Sequence, residues 1–160
     1  MKAEELTVRF AKEADIPRIV ELLRQVNNVH QQLRPDLFLP DHTKYAAPEI
    51  KKMLRLHDTV ILVAVDAQGL VLGYLFAFLK QIRGDNLVSR RSMHIDDLCV
   101  DAAVRHSGVG RRLLEQAVEC AGQLGCADIT LNVWEGNEDA ISFYRNRGFA
   151  PKSHILEMKL

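Results

Sequence analysis

Between residues 96 and 112 the chain reads Asp-Asp-Leu-Cys-Val-Asp-Ala-Ala-Val-Arg-His-Ser-Gly-Val-Gly-Arg-Arg: an apolar strand, a turn, and a helix start punctuated by two glycines. Gly108 and Gly110 carry no Cβ, so backbone N–H groups of the first helical turn can converge on an anion, and the helix dipole favours negative charge there. Arg105, Arg111 and Arg112 add cationic charge at the same end. A strand that feeds a glycine-rich helix start restricts the chain to folds in which helices pack on a sheet, with a phosphate cradle between them.

Two common phosphate loops do not fit this spacing. A nucleoside-triphosphate loop needs a lysine and then a hydroxyl residue directly after its last glycine, whereas Arg111 and Arg112 follow Gly110. A dinucleotide fingerprint needs a third glycine three residues beyond Gly110, where Leu113 stands.

A second motif lies downstream. After an apolar run from Ile129 to Val133 comes Asn137-x-x-Ala140-x-x-Phe143-Tyr144, and then Gly148-Phe149. Asn137 is a favoured N-cap, Glu138 and Asp139 suit the positive end of a helix, and Arg145 and Arg147 suit the negative end. Gly148 can adopt the left-handed conformation that closes a helix, with Phe149 folding back onto the last turn. Asn137, Ala140 or Ile141, and Tyr144 recur at helical spacing, so one face offers an amide, an apolar patch and a phenol.

Arg105-x-x-Gly108-x-Gly110 after a strand, with the downstream Asn137, Tyr144 and Gly148-Phe149 pattern, resembles the GNAT family of N-acetyltransferases. The resemblance runs along nearly the whole chain and is weakest over the first 50 residues. It implies an α/β (α+β) fold, a single domain over residues 1–160, with a mixed, mostly antiparallel sheet of about six to seven strands flanked by about four helices. It implies acetyl-CoA as cosubstrate and a primary amine as acceptor. The expected cofactor contacts are Leu98, Cys99 and Val100 along the pantetheine, and Arg105, His106, Ser107, Gly108, Val109, Gly110 and Arg111 around the pyrophosphate. Asn132, Asn137 and Tyr144 complete that set. A homodimer is also in keeping with the family.

An acetyl thioester and an amine react directly once the amine is neutral and held in line, so the protein must position both and manage protons. At pH 7 a lysine amine with pKa near 10.4 is neutral in about one molecule in a few thousand, which makes a base useful. The resemblance assigns that role to Asp96, and strand alternation sends Asp96 and Asp97 to opposite faces. An ordinary aspartate is a poor base at neutral pH, so burial or a like-charged neighbour must lift it. Tyr144 is the expected general acid for the departing thiolate. Cys99 lacks a histidine placed to activate it and reads as a small buried hydrophobe. Arg34, Asp36, His42 and Tyr45 are expected to shape one wall of the acceptor site, and Trp134 is a candidate for another.

Composition narrows the alternatives. The 160 residues are 48% hydrophobic and 26% charged with zero formal net charge, which suits a globular domain and disfavours a general nucleic-acid binder. Three cysteines without a C-x-x-C pair and six scattered histidines imply neither a disulfide framework nor a metal site. The polar start and the absence of a long apolar run predict a cytoplasmic protein with no membrane partner.

Apolar spacing predicts a strand at residues 7–10, a helix from Asp15 and Pro17 to about Gln32, and a second helix after Pro48. Strands follow at 60–65 and 70–79 around a turn at Asp66–Gly69, with Gly73 marking a bulge. A long strand over about 91–100, a helix over 108–124, a strand over 129–133, a helix from Asn137 and a last strand near 155–159 complete the order. Two rival readings remain: a catalytically silent acyl-CoA-binding sensor, and an assembly module that pairs through Leu75 to Leu79.

Overall fold

Apolar residues fill consecutive positions of β2 (Thr59–Val65) and β3 (Val71–Ile82), the pattern of strands covered on both faces. Val60, Leu62 and Ala64 enter one core, while Ile61, Val63 and Val65 enter another on the opposite side of the sheet. The computed structural model describes residues 6–160. Its five strands run in the spatial order β1 (Thr7–Phe10), β2, β3, β4 (Arg90–Val100), β5 (Asp128–Leu131). The first three neighbouring pairs are antiparallel and β4 pairs with β5 in parallel.

One face is covered by α1 (Ile16–Leu33) and α2 (Ala47–Met53). Ile19, Leu22 and Leu23 of α1 and Ile50 of α2 meet Tyr74 and Phe76 of β3 there. Pro17 opens α1, where a missing N–H is harmless, and Asp15 just before it accepts from the Lys12 amide at 2.7 Å and from Arg9. The other face is covered by α3 (Val109–Gln123), through Val109, Leu113, Leu114 and Ala117. Phe143 and Tyr144 of α4 (Glu138–Arg145) lie on that same side.

The element order follows the apolar spacing closely, and β3 carries a bulge at Leu72 beside Gly73. A Cβ on Gly73 would stand 2.7 Å from the Cys99 carbonyl oxygen, so this position admits only glycine without a shift of β4. Two expectations are corrected. Residues 155–159 do not form a strand: the segment from 151 to 160 has no regular structure and is exposed throughout, so the sheet has five strands rather than six or seven. β5 stops at Leu131, short of Val133, because β4 turns away from it beyond Ile95. Among the described residues no helix is long and apolar enough to cross a membrane.

Candidate active site

β4 contains one residue too many for its ladder with β3: Ile95 pairs with Ala77 and Asp97 with the adjacent Phe76, leaving Asp96 as a bulge. In a regular strand Ile95 and Cys99, four residues apart, would face the same side; here Ile95 lies in the α3 core and Cys99 in the α1 core. The ladder between β4 and β5 ends at Ile95 with Leu131. Beyond that point Asp96 to Val100 have no strand on their outer side among the described residues, and the two strands part.

The bulge also overturns the expected opposition of the two carboxylates. Asp96 accepts a hydrogen bond from the Tyr45 hydroxyl at 2.7 Å and pairs with Lys44 Nζ at 2.8 Å. Asp97 accepts from the Tyr74 hydroxyl at 2.8 Å. Tyr45 and Tyr74 both belong to the α1-side core, where each packs against Phe76, so the two acids turn toward one side of the sheet. Their environments differ. Burial raises Asp97 to about 6, with Asp96 adding to the rise and Tyr74 and Lys44 opposing it. Tyr45 is raised above the usual phenol range by burial and by its bond to Asp96. Arg90 and Arg91 are engaged elsewhere, with Asp128 and the Leu124 carbonyl.

Leu98, Cys99 and Val100 form the open stretch of β4. The Val100 carbonyl accepts from Gln25 Nε2 at 3.0 Å, and the Ala102 amide donates to Gln25 Oε1 at 3.1 Å, so α1 holds the end of the strand. Burial pushes the Cys99 thiol up to about 12, which keeps it protonated and unreactive.

The chain then turns through Ala102–Val104 into the glycine loop. His106 and Gly108 both adopt positive φ, 63° and 90°. The first helical bond runs from the Arg112 amide to the Gly108 carbonyl at 3.1 Å, so the amides of Val109, Gly110 and Arg111 precede the ladder and point out of the helix start. Ser107 donates its hydroxyl to the Val104 carbonyl, and Arg105 and His106 are exposed. The two glycines serve different ends. A Cβ at Gly108 would meet nothing within 4 Å, whereas one at Gly110 would stand 3.3 Å from the Phe143 ring and 3.4 Å from Val100. Gly110 lets α4 approach α3, and Gly108 lets the loop turn through a left-handed conformation into the helix. Three backbone donors at a helix start, a left-handed turn and nearby arginines form a concave anion nest that fits a pyrophosphate.

Across the parting of β4 and β5 stands α4. Asn137 caps it, its side-chain oxygen accepting from the Ala140 amide at 3.3 Å, so this atom is committed to the helix. The Tyr144 ring packs edge-on between Phe143 and Phe149, with centroids 5.1 and 5.5 Å away, and the Phe149 amide closes the turn on the Tyr144 carbonyl. Burial raises the Tyr144 phenol above its ordinary range and the charge on Asp97 raises it further, which places the two groups within electrostatic reach. Asn132 is exposed just past β5.

On the far side of the opening, Phe38 packs edge-on against Trp134 at 5.5 Å and lies tilted against His30 at 5.2 Å, and Arg34 lies over the Trp134 ring at 5.7 Å. Burial lowers His30, with Lys44 adding to the effect. Arg34, Asp36 and Trp134 thus gather in one cluster, Tyr45 stands against Phe76 beside Asp96, and His42 is exposed and bonded to the nearby Pro40 carbonyl. Tyr74, Gln25, His30 and Phe38 were not legible as site residues. Tyr74 sits in a run of apolar strand residues, and the other three lie on helix and loop positions whose direction depends on the packing of α1.

The opened strand edge, the free amides at the start of α3, the Tyr144 phenol and the half-buried Asp97 carboxyl lie along the parting of β4 from β5, an arrangement suited to acyl transfer. Residues 26–149 match the model of the Acetyltransferase (GNAT) family, and the chain belongs to that family. It is 30% identical over 145 residues to the uncharacterized N-acetyltransferase YhfO of Bacillus subtilis (strain 168), covering 90% of this chain and 89% of that protein. A probable glucosamine 6-phosphate N-acetyltransferase of Oryza sativa subsp. japonica is 35% identical over 100 residues, 59% of this chain; the match spans only 56% of the rice protein. Among solved structures, a tetramutant of the BH1408 protein from Bacillus halodurans superposes with a TM-score of 0.91 at 26% identity, covering 96% of this chain and 99% of that one. An aminoglycoside acetyltransferase from an uncultured soil metagenomic sample shares the fold, with a TM-score of 0.76 at 16% identity, 99% of this chain and 97% of that one being covered.

Proposed function

We propose that this protein transfers an acetyl group from acetyl-CoA directly to a primary amine, with Asp97 as the base and Tyr144 as the acid. The observation that carries this reading is the parting of β4 from β5 after Ile95, which leaves an unpaired strand edge between the anion nest and the two ionisable groups. The amides of Val109, Gly110 and Arg111, with Arg105 beside them, would hold the pyrophosphate, and the free edge of Leu98 to Val100 would bind the amides of the pantetheine arm. Acetyl-CoA supplies an activated thioester carbonyl; the protein supplies alignment and proton transfer.

Asp97 suits the base better than Asp96. Asp96 is already engaged, paired with Lys44 Nζ at 2.8 Å and accepting from the Tyr45 hydroxyl at 2.7 Å, so its carboxylate is occupied by other partners. Asp97 is lifted to about 6, close to the working pH of a general base, and Tyr74 fixes its direction. Asp96 then serves as the anion that draws an ammonium toward the cleft. Tyr144 stays protonated at any working pH and can donate to the leaving thiolate, which at pKa near 8.5 also departs unaided. The Phe38, Trp134 and Arg34 wall, on the α1 side, would receive the acceptor.

The test is an acceptor screen that follows thiol release from acetyl-CoA across amino sugars, aminoglycosides, polyamines, amino acids and lysine peptides. Turnover with at least one amine is the expected result. Tight binding of acetyl-CoA with no transfer to any amine would favour a silent acyl-CoA sensor, and absence of CoA affinity would sink both readings.

A further inference from the structure

The connection between α1 and α2 carries a primary amine into the candidate site. Lys44 lies directly before Tyr45, whose ring packs against Phe76 with centroids 5.6 Å apart, so the backbone beside Lys44 is anchored to the core. Its Nζ stands 2.8 Å from Asp96 Oδ2, donates to the Asp96 carbonyl at 3.4 Å, and lies 5.7 Å from the centre of the Tyr45 ring. A carboxylate, a carbonyl and an aromatic face are the groups that hold an alkylammonium. All three meet at the bulge, where β5 has parted from β4.

A pair built for stability would look different. Asp15 and Asp101, shielded from water about as well as Asp96, are fixed by arginines, Arg9 and Arg18, whose planar guanidinium matches a carboxylate. Lysine is a point charge on a flexible stem, and a pair whose cation is half-exposed adds little to the fold. What Lys44 does change is the charge of the cleft. Its ammonium is felt at Asp97, at His30 and at His94, the groups that surround the opening from β4 and α1. Asp96 thus faces a cation before any substrate is present.

We propose that Lys44 is a built-in occupant of the subsite for the acceptor's ammonium, and that an incoming primary amine displaces it from Asp96. This rests on the reading of the cleft as an amine-acceptor site. Displacement asks for no movement of the backbone: 49% of the Lys44 side chain is already exposed, so rotation of its stem carries the ammonium into water while Tyr45 stays seated. A tethered competitor lowers the apparent affinity for every acceptor in proportion to the time it spends seated. Lys44 therefore sets a threshold for entry: an amine takes the subsite only by binding Asp96 better than the chain's own lysine does.

Butylammonium, which reproduces the Lys44 side chain, is the probe. Titrated into the full chain and followed by amide NMR shifts at residues 95–98, it should bind Lys44→Ala about fivefold to tenfold more tightly than the native protein. Lys44→Met, which keeps the stem and loses the charge, should shift in the same direction. Adding Asp96→Asn to Lys44→Ala should abolish the gain. Lys80→Ala removes another cation felt at His94 and should bind the probe as the native protein does. An equal gain in Lys80→Ala would mean a general field effect and overturns the inference. Unchanged or weaker binding in both Lys44 variants overturns it too, since Lys44 would then be a prop for Asp96. In turnover, the KM for an accepted amine should fall by a similar factor in Lys44→Met, with kcat within about a factor of two. Acetylation with an unchanged KM in both Lys44 variants overturns the role of Lys44 alone, whereas no acetylation of any amine by the native protein overturns the reading on which it rests.

Discussion

The Tyr74 hydroxyl donates to the Asp97 carboxylate at 2.8 Å from the neighbouring strand, the two residues being offset by two positions across the β3–β4 ladder. Rigid strands thus hold the proposed base. Its position does not depend on a loop, and a phenol whose own acidity is suppressed by burial keeps donating at every accessible pH.

Asp97→Asn is expected to lower kcat by roughly 100-fold while leaving the KM for acetyl-CoA within about a factor of three. In the native protein kcat/KM should rise with pH through an apparent pKa near 6 and then level, because the base must be deprotonated to act. The variant should lose that limb. Steady-state rates between pH 5 and 8 decide the matter, and a retained limb would return the role to Asp96 or to water.

The same substitution should stabilise the fold. Asp97 binds its proton more tightly when folded than when unfolded, so its contribution to stability declines as pH rises from about 4 to about 6 and stays unfavourable above that. Thermal melts of Asp97→Asn should therefore exceed the native Tm at pH 8 and converge on it near pH 4.

Tyr144→Phe should reduce turnover by about tenfold or more without abolishing it, since a thiolate leaves at an appreciable rate without a proton donor. The ring packing against Phe143 and Phe149 survives the loss of one oxygen, so Tm should change by no more than about 2 °C. Unchanged turnover would remove the assignment.

The two loop glycines should fail differently. Gly108→Val places a β-branched residue at φ 90° with open space around it, at a cost of roughly 1–2 kcal/mol, and should raise the KM for acetyl-CoA. Gly110→Glu pushes into Phe143 and Val100 and should part α3 from α4, lowering both Tm and kcat. Calorimetric binding of CoA alongside thermal melts separates the two outcomes.

Asp15 offers a control far from the chemistry. It is buried, and although burial pulls its carboxyl upward, Arg9 and the Lys12 amide outweigh this and hold it below the usual range. Its contribution is complete above the unfolded pKa near 3.9 and is lost as pH falls through the lower folded value. Asp15→Asn should destabilise the protein by about 2–3 kcal/mol at pH 7, with the difference shrinking in acid, as followed by urea melts.

Much of this molecule could be read before its structure. Proline and aspartate mark the start of α1, and the glycines after α3 and α4 mark where those helices close; such signals act within a few residues and survive in the sequence. The bulge could not be read. Asp96 carries no glycine signature, and its extra position is visible only against the partner strand, so strand alternation placed Asp96 and Asp97 on opposite faces when both turn to one. The far end of β3 was also missed, because Lys80 and Gln81 look like loop residues and join the sheet only through backbone pairing with Ser92 and Arg91. The final segment failed in the reverse direction: its alternation is strand-like, but a strand requires backbone pairing with a neighbour, and none forms there.

The surplus residue in β4 has a consequence for what the protein can lose. With Asp96 excised, Ile95 and Asp97 would simply become consecutive partners of Ala77 and Phe76, and each would keep the face it already occupies. Folding has no need of Asp96. A one-residue deletion there is expected to leave a well-formed protein that has closed its seam and lost turnover, the outcome that would tie this surplus residue to the proposed chemistry.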